Sequence, residues 1–130
     1  DDKTTTSLVT ISGTPIYFEQ DWSTGIGGGL WSTGFAMGKY LESHPEHAKH
    51  NIQRLPKAKD LSMLELGSGN GFLSVCFMAL ARDLISRWVI TDTKVHLPLI
   101  RQTLQANAHV TENQDITVIE HQWGKFSKRE

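Results

Sequence analysis

The sequence has little of what marks several large protein classes. It contains one cysteine, Cys76, so it can form no internal disulfide, and a reducing compartment is the default expectation. Its 13 basic and 14 acidic residues nearly balance, and the only basic run is the short tail KFSKRE, so binding to a phosphate backbone is not indicated. No apolar run is long enough for a bilayer. We expect a cytoplasmic protein, with the nucleus as a second candidate, and neither nucleic acid nor membrane as a partner.

The chain length and its patterning indicate one domain with an N-terminal extension. At 130 residues the chain can form a single hydrophobic core. Residues 1–26 are interpreted as the extension, in which LVTISGTPIYFEQ alternates apolar and polar residues and predicts a β-hairpin. Apolar residues at helical spacing predict a helix over about residues 30–42, followed by a polar connection through SHPEH and NIQRLPKAKD.

The rest of the chain alternates strand and helix patterns. The segments LSMLEL, RWVITD and DITVIEHQW predict strands, and FLSVCFMALARDL and HLPLIRQTLQANA predict the helices between them. Such a β-α-β-α-β series implies parallel strands in the order 3-2-1 with right-handed crossovers. The predicted fold is α/β, the N-terminal half of a Rossmann-like, doubly wound and mostly parallel sheet, preceded by the hairpin and a helix. Ligands of such sheets bind at the carboxyl ends of the strands, here at residues 65–71.

The segment ELGSGNG has three glycines on alternate positions, the first of them two residues after Glu65. A dinucleotide fingerprint reads G-x-G-x-x-G, so the third glycine here comes one residue too early for it. A carboxylate two residues before the first glycine also repels a pyrophosphate. S-adenosylmethionine carries a sulfonium and an ammonium but no phosphate, so its charge fits better. A nucleotide- or NAD-binding module stays open as an alternative, as does a turn that only lets the helix pack on the strand.

Asp92 ends the second predicted strand, about 20 residues beyond the glycines. An acidic side chain at this distance accepts hydrogen bonds from both hydroxyls of a ribose in nucleotide-binding sheets. The alternative is an ordinary cap at a strand end. Together with Glu65 and the glycines, Asp92 favours ribose binding.

The remaining candidates for chemistry carry less weight. His44, His47 and His50 are interpreted as solvated side chains at a helix end, because Pro45 breaks the helix that metal ligation at this spacing would need. No metal site is therefore predicted. Cys76 lies in an apolar helix and is assigned to the core.

Four quoted segments, LELGSGNGFLSV, ITD, LIRQTLQAN and IEHQWG, together resemble the seven-strand (class I) S-adenosylmethionine-dependent methyltransferases. The chain is most similar to the subset that methylates lysines of non-histone proteins such as elongation factors and chaperones. The resemblance covers roughly Gly27 to Lys125, and its one highly specific motif is E-x-G-x-G-x-G. It makes residues 27–130 the N-terminal half of an S-adenosylmethionine-binding methyltransferase domain.

The resemblance implies methyl transfer to a lysine of a protein substrate such as a translation factor, with S-adenosylhomocysteine as the product. A non-catalytic methyltransferase-like scaffold is the alternative. GGGLWSTGFAMGKYL resembles a Gly-x-x-Trp segment of that subset, which places Trp31 in the cofactor pocket, and QWG places Trp123 beside the adenine. The predicted cofactor-binding residues are Trp31, Glu65, Gly67, Ser68, Gly69, Asn70, Gly71, Asp92 and Trp123.

The acceptor side of the reaction is not assigned. By the resemblance, the residues that face the acceptor follow a fourth strand beyond Glu130, so no catalytic residue is named, and the 130-residue chain alone is expected to bind cofactor weakly and to methylate nothing. The first strand would also have an open edge, which is a template for aggregation. We expect the hairpin, a second copy of the chain, or a separate chain carrying the missing strands to cover it.

Overall fold

The computed structural model describes residues 7, 9–25, 28–29, 32–56 and 60–125. Its centre is a parallel sheet of β3 (Leu61–Glu65), β4 (Ile85–Asp92) and β5 (Ile116–Glu120), with β4 in the middle. This is the predicted order 3-2-1. Because parallel strands end at the same edge of a sheet, Glu65 and Asp92 come to one side, where the glycine loop begins.

The helices cover one face of this sheet. The helix α3 (Phe72–Ala81) joins β3 to β4, and α4 (Leu97–Ala106) with the short α5 (Ala108–Thr111) joins β4 to β5. The row Met63, Trp88 and Ile116 crosses the sheet on this face, and Trp88 is 1% exposed. Buried residues of α3 pack against it, including Val75 and Met78. Burial of these apolar side chains, each contributing about 1.5–3 kcal/mol, holds the layers together.

The N-terminal hairpin forms as predicted. The strands β1 (Val9–Ile11) and β2 (Thr14–Ile16) are antiparallel, and Ser12 and Gly13 between them both have positive φ, as in the tight turns of hairpins. The segment after β2 is fixed by the fully buried Asn107, whose side chain accepts a hydrogen bond from the Tyr17 N–H at 2.8 Å and donates one to the Tyr17 carbonyl at 2.7 Å. The hairpin packs against helices, α3 among them, and forms a sheet of its own beside the central one.

The predicted polar connection after the first helix is wrong. The helix α1 (Ser32–Ser43) is followed by a second helix, α2 (Pro45–Gln53). Pro45 starts α2 because proline is favoured at the first helical position, where its missing N–H costs nothing. Ala48 of α2 is buried, while the Tyr40 hydroxyl of α1 bonds to the His47 ring. No group of side chains with the geometry to hold a metal was found within the described residues.

The described helices include none with the length and hydropathy needed to cross a membrane. The longest of them is α1, with 12 residues.

The outer edge and second face of the sheet are apolar and open. Of the three partners expected to cover β3, the hairpin is excluded, because it is a separate two-stranded sheet and β3 pairs only with β4 in the described part of the chain. Leu64 and Leu66 are 59% and 54% exposed on this face. Beside them, Ile52, Leu55 and Phe77 contribute to a groove of about 320 Å³. An unpaired apolar edge of this kind is a pairing site for another strand.

We expect the isolated chain to cover this edge with a second copy of itself. Light scattering should show association that grows with concentration, and hydrogen exchange at residues 61–66 should be slow. Leu64→Lys should shift the chain towards monomer because a charge opposes pairing at that edge, whereas Thr117→Lys, on the same face but on β5, should change it little. A wild-type monomer with fast exchange along β3 would contradict this expectation.

Candidate functional site

The loop between β3 and α3 has a backbone that glycine adopts readily. Gly67, Gly69 and Gly71 have φ values of +64°, +60° and +80°, in the region where a Cβ atom introduces strain. Between them, the Asn70 Oδ1 accepts the Phe72 N–H at 3.1 Å and so satisfies one free amide at the start of α3. The alternating glycines therefore form a tight turn from the strand into the helix.

The end of β4 fixes this loop in place. The Gly69 N–H donates to the Asp92 Oδ2 at 2.7 Å, and both the N–H and the hydroxyl of Ser68 donate to the Thr91 carbonyl at 3.0 Å. The loop conformation therefore depends on the carboxylate of Asp92 as well as on its own glycines. Asp92 therefore makes contacts of the kind expected of a strand-end cap, and its binding to a ribose stays a prediction.

The other carboxylate oxygen of Asp92 is hydrogen-bonded to residues that follow Asp92 in the sequence. Its Oδ1 accepts the Thr93 N–H at 2.6 Å and the Thr93 hydroxyl at 3.2 Å, and lies 2.8 Å from the His96 Nδ1. Burial raises the pKa of Asp92, but the bonds from His96, Gly69 and Thr93 outweigh it, and the pKa lies below the usual value. Asp92 is therefore an anion at neutral pH.

A cavity of about 380 Å³ opens beside the loop. Among the described residues that line it are two acidic side chains, Glu65 and Asp92, and neither lysine nor arginine. Burial raises the pKa of Glu65 to about 7, although the Ser74 hydroxyl donates a hydrogen bond to it. Since the charge of Asp92 also raises this pKa, the cavity favours a cation.

Asn70 supplies an unused donor at the same cavity. The side chain lines the cavity and is 2% exposed, and its Nδ2 has no hydrogen-bond partner among the described residues. A buried polar atom without a partner is rare and costs about 1–3 kcal/mol. The Asn70 amide is thus available to an acceptor on a bound molecule.

A second cavity, of about 360 Å³, lies on the other side of Gly67. Its lining includes Asp92, His96, Gln122 and Trp123. A Cβ atom at Gly67 would come within 2.9 Å of the Trp123 Cζ2, so the indole lies directly on the glycine. Trp123 remains 71% exposed, which leaves most of its surface for another planar group. Gly67 and Asp92 line both cavities and connect them into one site.

The structure brings most of the predicted site residues together. Glu65, Ser68, Gly69 and Asn70 line the first cavity, Trp123 lines the second, and Gly67 and Asp92 line both. Gly71 lies instead against α4, because a Cβ atom there would be 3.3 Å from the Ile100 Cγ2. Trp31 lies outside the described residues.

Sequence reasoning missed two side chains that hold the carboxylates. His96 follows Asp92 by four residues, so one helical turn brings it back to the carboxylate, and this spacing could have identified it. From the sequence, Ser74 in the first turn of α3 is only one residue of an apolar helix. Its bond to Glu65 depends on how α3 packs beside β3.

Comparison with known families gives one finding. The family model described as lysine methyltransferase matches residues 11–130. Because this match spans nearly the whole chain, the chain belongs to the lysine methyltransferase family. The matched range contains the glycine loop, Asp92 and Trp123.

The raised pKa of Glu65 predicts how stability depends on pH. A carboxyl whose pKa rises from 4.5 in the unfolded chain to about 7 in the folded chain favours folding only while it is protonated. The free energy of unfolding should therefore fall as the pH rises from 4.5 to 7, by on the order of 3 kcal/mol at most. Glu65→Gln should lose this dependence. In urea denaturation, the free energy of unfolding of the variant relative to that of the wild type should therefore be higher at pH 8 than at pH 5. Parallel pH dependence in the two proteins would contradict the assignment.

Proposed function

We propose that this member of the lysine methyltransferase family uses S-adenosylmethionine to methylate a lysine side chain of a protein. Family membership supports the methyl transfer and the lysine acceptor. The choice of a protein substrate, such as a translation factor, rests on the resemblance of the E-x-G-x-G-x-G loop and its flanking segments to enzymes that modify non-histone proteins.

One observation carries the choice of cofactor: the described residues that line the cavity at the glycine loop include two carboxyl groups and no lysine or arginine. A pyrophosphate needs cations or a helix N-terminus free of anions, and Glu65 lies at the entry to this loop. S-adenosylmethionine and S-adenosylhomocysteine both carry an ammonium group, which a carboxylate such as that of Glu65 stabilises, and neither carries a phosphate. The site therefore favours these ligands over NAD.

The residues present fit the parts of this cofactor. Glu65 would bind its cationic part, the unpartnered Asn70 Nδ2 would donate to its carboxylate, and Asp92 would accept from its ribose. The adenine would lie beside Trp123 in the second cavity, since that indole is largely exposed and adjoins the one glycine common to both cavities.

The bound cofactor supplies an electrophilic methyl group, and the chain's contribution is to position it. Fixing the reacting groups in line accounts for a large part of such rate enhancements. An acceptor lysine has a reference pKa of about 10.4, so its ammonium must lose a proton before its nitrogen can attack. No described residue is assigned to that proton transfer.

Substitution of the central loop glycine tests the proposed site. Gly69→Val should reduce binding of S-adenosylhomocysteine at least about a hundredfold, because a β-branched residue resists a φ of +60° and would disturb the N–H that Asp92 accepts. Gly13→Val is the matched control, since Gly13 also has positive φ but lies in the hairpin turn with open space around it. Calorimetric titration of both variants gives the comparison.

Equal affinity in Gly69→Val and the wild type would mean that the loop only packs the helix on the strand. The non-catalytic scaffold is tested separately, by incubating the protein with methyl-labelled S-adenosylmethionine and cell lysate. Label in a lysine would exclude the scaffold, and it would also contradict the expectation that the 130-residue chain alone methylates nothing.

A further inference from the structure

The two carboxylate oxygens of Asp92 differ in whether a hydrogen-bond acceptor site is left free. A carboxylate oxygen offers about two lone-pair sites. Oδ1 already has three donors within hydrogen-bond distance, namely the Thr93 N–H, the Thr93 hydroxyl and the His96 Nδ1. Oδ2 has one, the Gly69 N–H. A bound molecule therefore finds one free site on Asp92, and it is on Oδ2.

His96 keeps Oδ1 occupied, because its ring is held in place beside Asp92. It is 7% exposed and lies four residues after Asp92, so it cannot turn into solvent without disturbing the start of α4. Its Nδ1 carries the proton because the partner is a carboxylate, and its Nε2 is buried with no partner in the described part of the chain. The polar contacts that the structure shows for this ring go to Asp92 and Thr93.

We propose that His96 is a positioning residue that occupies the Oδ1 of Asp92 and leaves Oδ2 as the single acceptor for a ribose, so that the site distinguishes the two ribose hydroxyls. The inference rests on the proposed function, because it takes the nucleoside part of the cofactor as the ligand. It departs from the sequence-based expectation that Asp92 accepts both hydroxyls.

The test compares S-adenosylhomocysteine with its 2′-deoxy and 3′-deoxy forms by calorimetric titration of the wild-type chain. One deoxy ligand should bind at least about tenfold more weakly than the parent, because it lacks a charge-assisted hydrogen bond to Oδ2. The other should bind within about threefold of the parent. Similar losses for both would overturn the inference while leaving the proposed cofactor intact. Failure of the parent ligand to bind would overturn the proposed function and the inference together.

Two variants connect the difference to His96. His96→Asn keeps a side-chain N–H near the position of Nδ1 and should preserve the ratio between the two deoxy ligands. His96→Phe removes the donor, and the exposed Thr93 hydroxyl is free to rotate away, so Oδ1 becomes available and the ratio should fall towards one. A purely structural role would weaken all three ligands alike and leave the ratio unchanged, which would overturn the inference. If His96→Phe does not fold, His96→Ala, which also removes the donor, replaces it, and an unchanged ratio in that variant would overturn the inference.

Discussion

The hydrogen bond from the Gly69 N–H to the Asp92 carboxylate is the contact on which the rest of the site depends. It joins the end of β4 to the loop after β3, and so ties two strands of the sheet to the turn that starts α3. His96 and Thr93 hold the other oxygen of the same carboxylate. A loop of glycines has many accessible conformations, and this bond selects one of them.

The same arrangement determines the charge of the site. Asp92 stays ionised because its hydrogen bonds outweigh its burial, whereas Glu65, which has the Ser74 hydroxyl as a donor, has a pKa of about 7. At neutral pH Asp92 is therefore charged, whereas Glu65 lies near its pKa, and a cation beside it would favour its charged form. The negative charge of the site fits the cofactor proposed for this member of the lysine methyltransferase family. S-adenosylmethionine is a cation, whereas the alternative ligand, NAD, carries a pyrophosphate.

Much of this could be predicted from the sequence because it depends on local patterns. The alternation of apolar strands and helices predicts the parallel sheet and its order, and the spacing of Glu65, the glycines and Asp92 predicts the site. The features that were missed depend on position or on distant contacts. Pro45 starts α2, whereas the sequence predicts that it breaks a helix, and α4 ends at Ala106, just before the buried Asn107, whose side chain bonds to the distant Tyr17. Likewise, only the packing of α4 shows that Gly71 lies against Ile100.

The most direct test of the account is a calorimetric comparison of S-adenosylmethionine, S-adenosylhomocysteine and NAD on the wild-type chain at neutral pH. A site lined by Glu65 and Asp92 should bind both sulfur-containing ligands and should bind NAD more weakly than either, because no described residue that lines the first cavity is a cation that would compensate the charge of a pyrophosphate. Tighter binding of NAD would contradict the claim that these two carboxylates select the ligand.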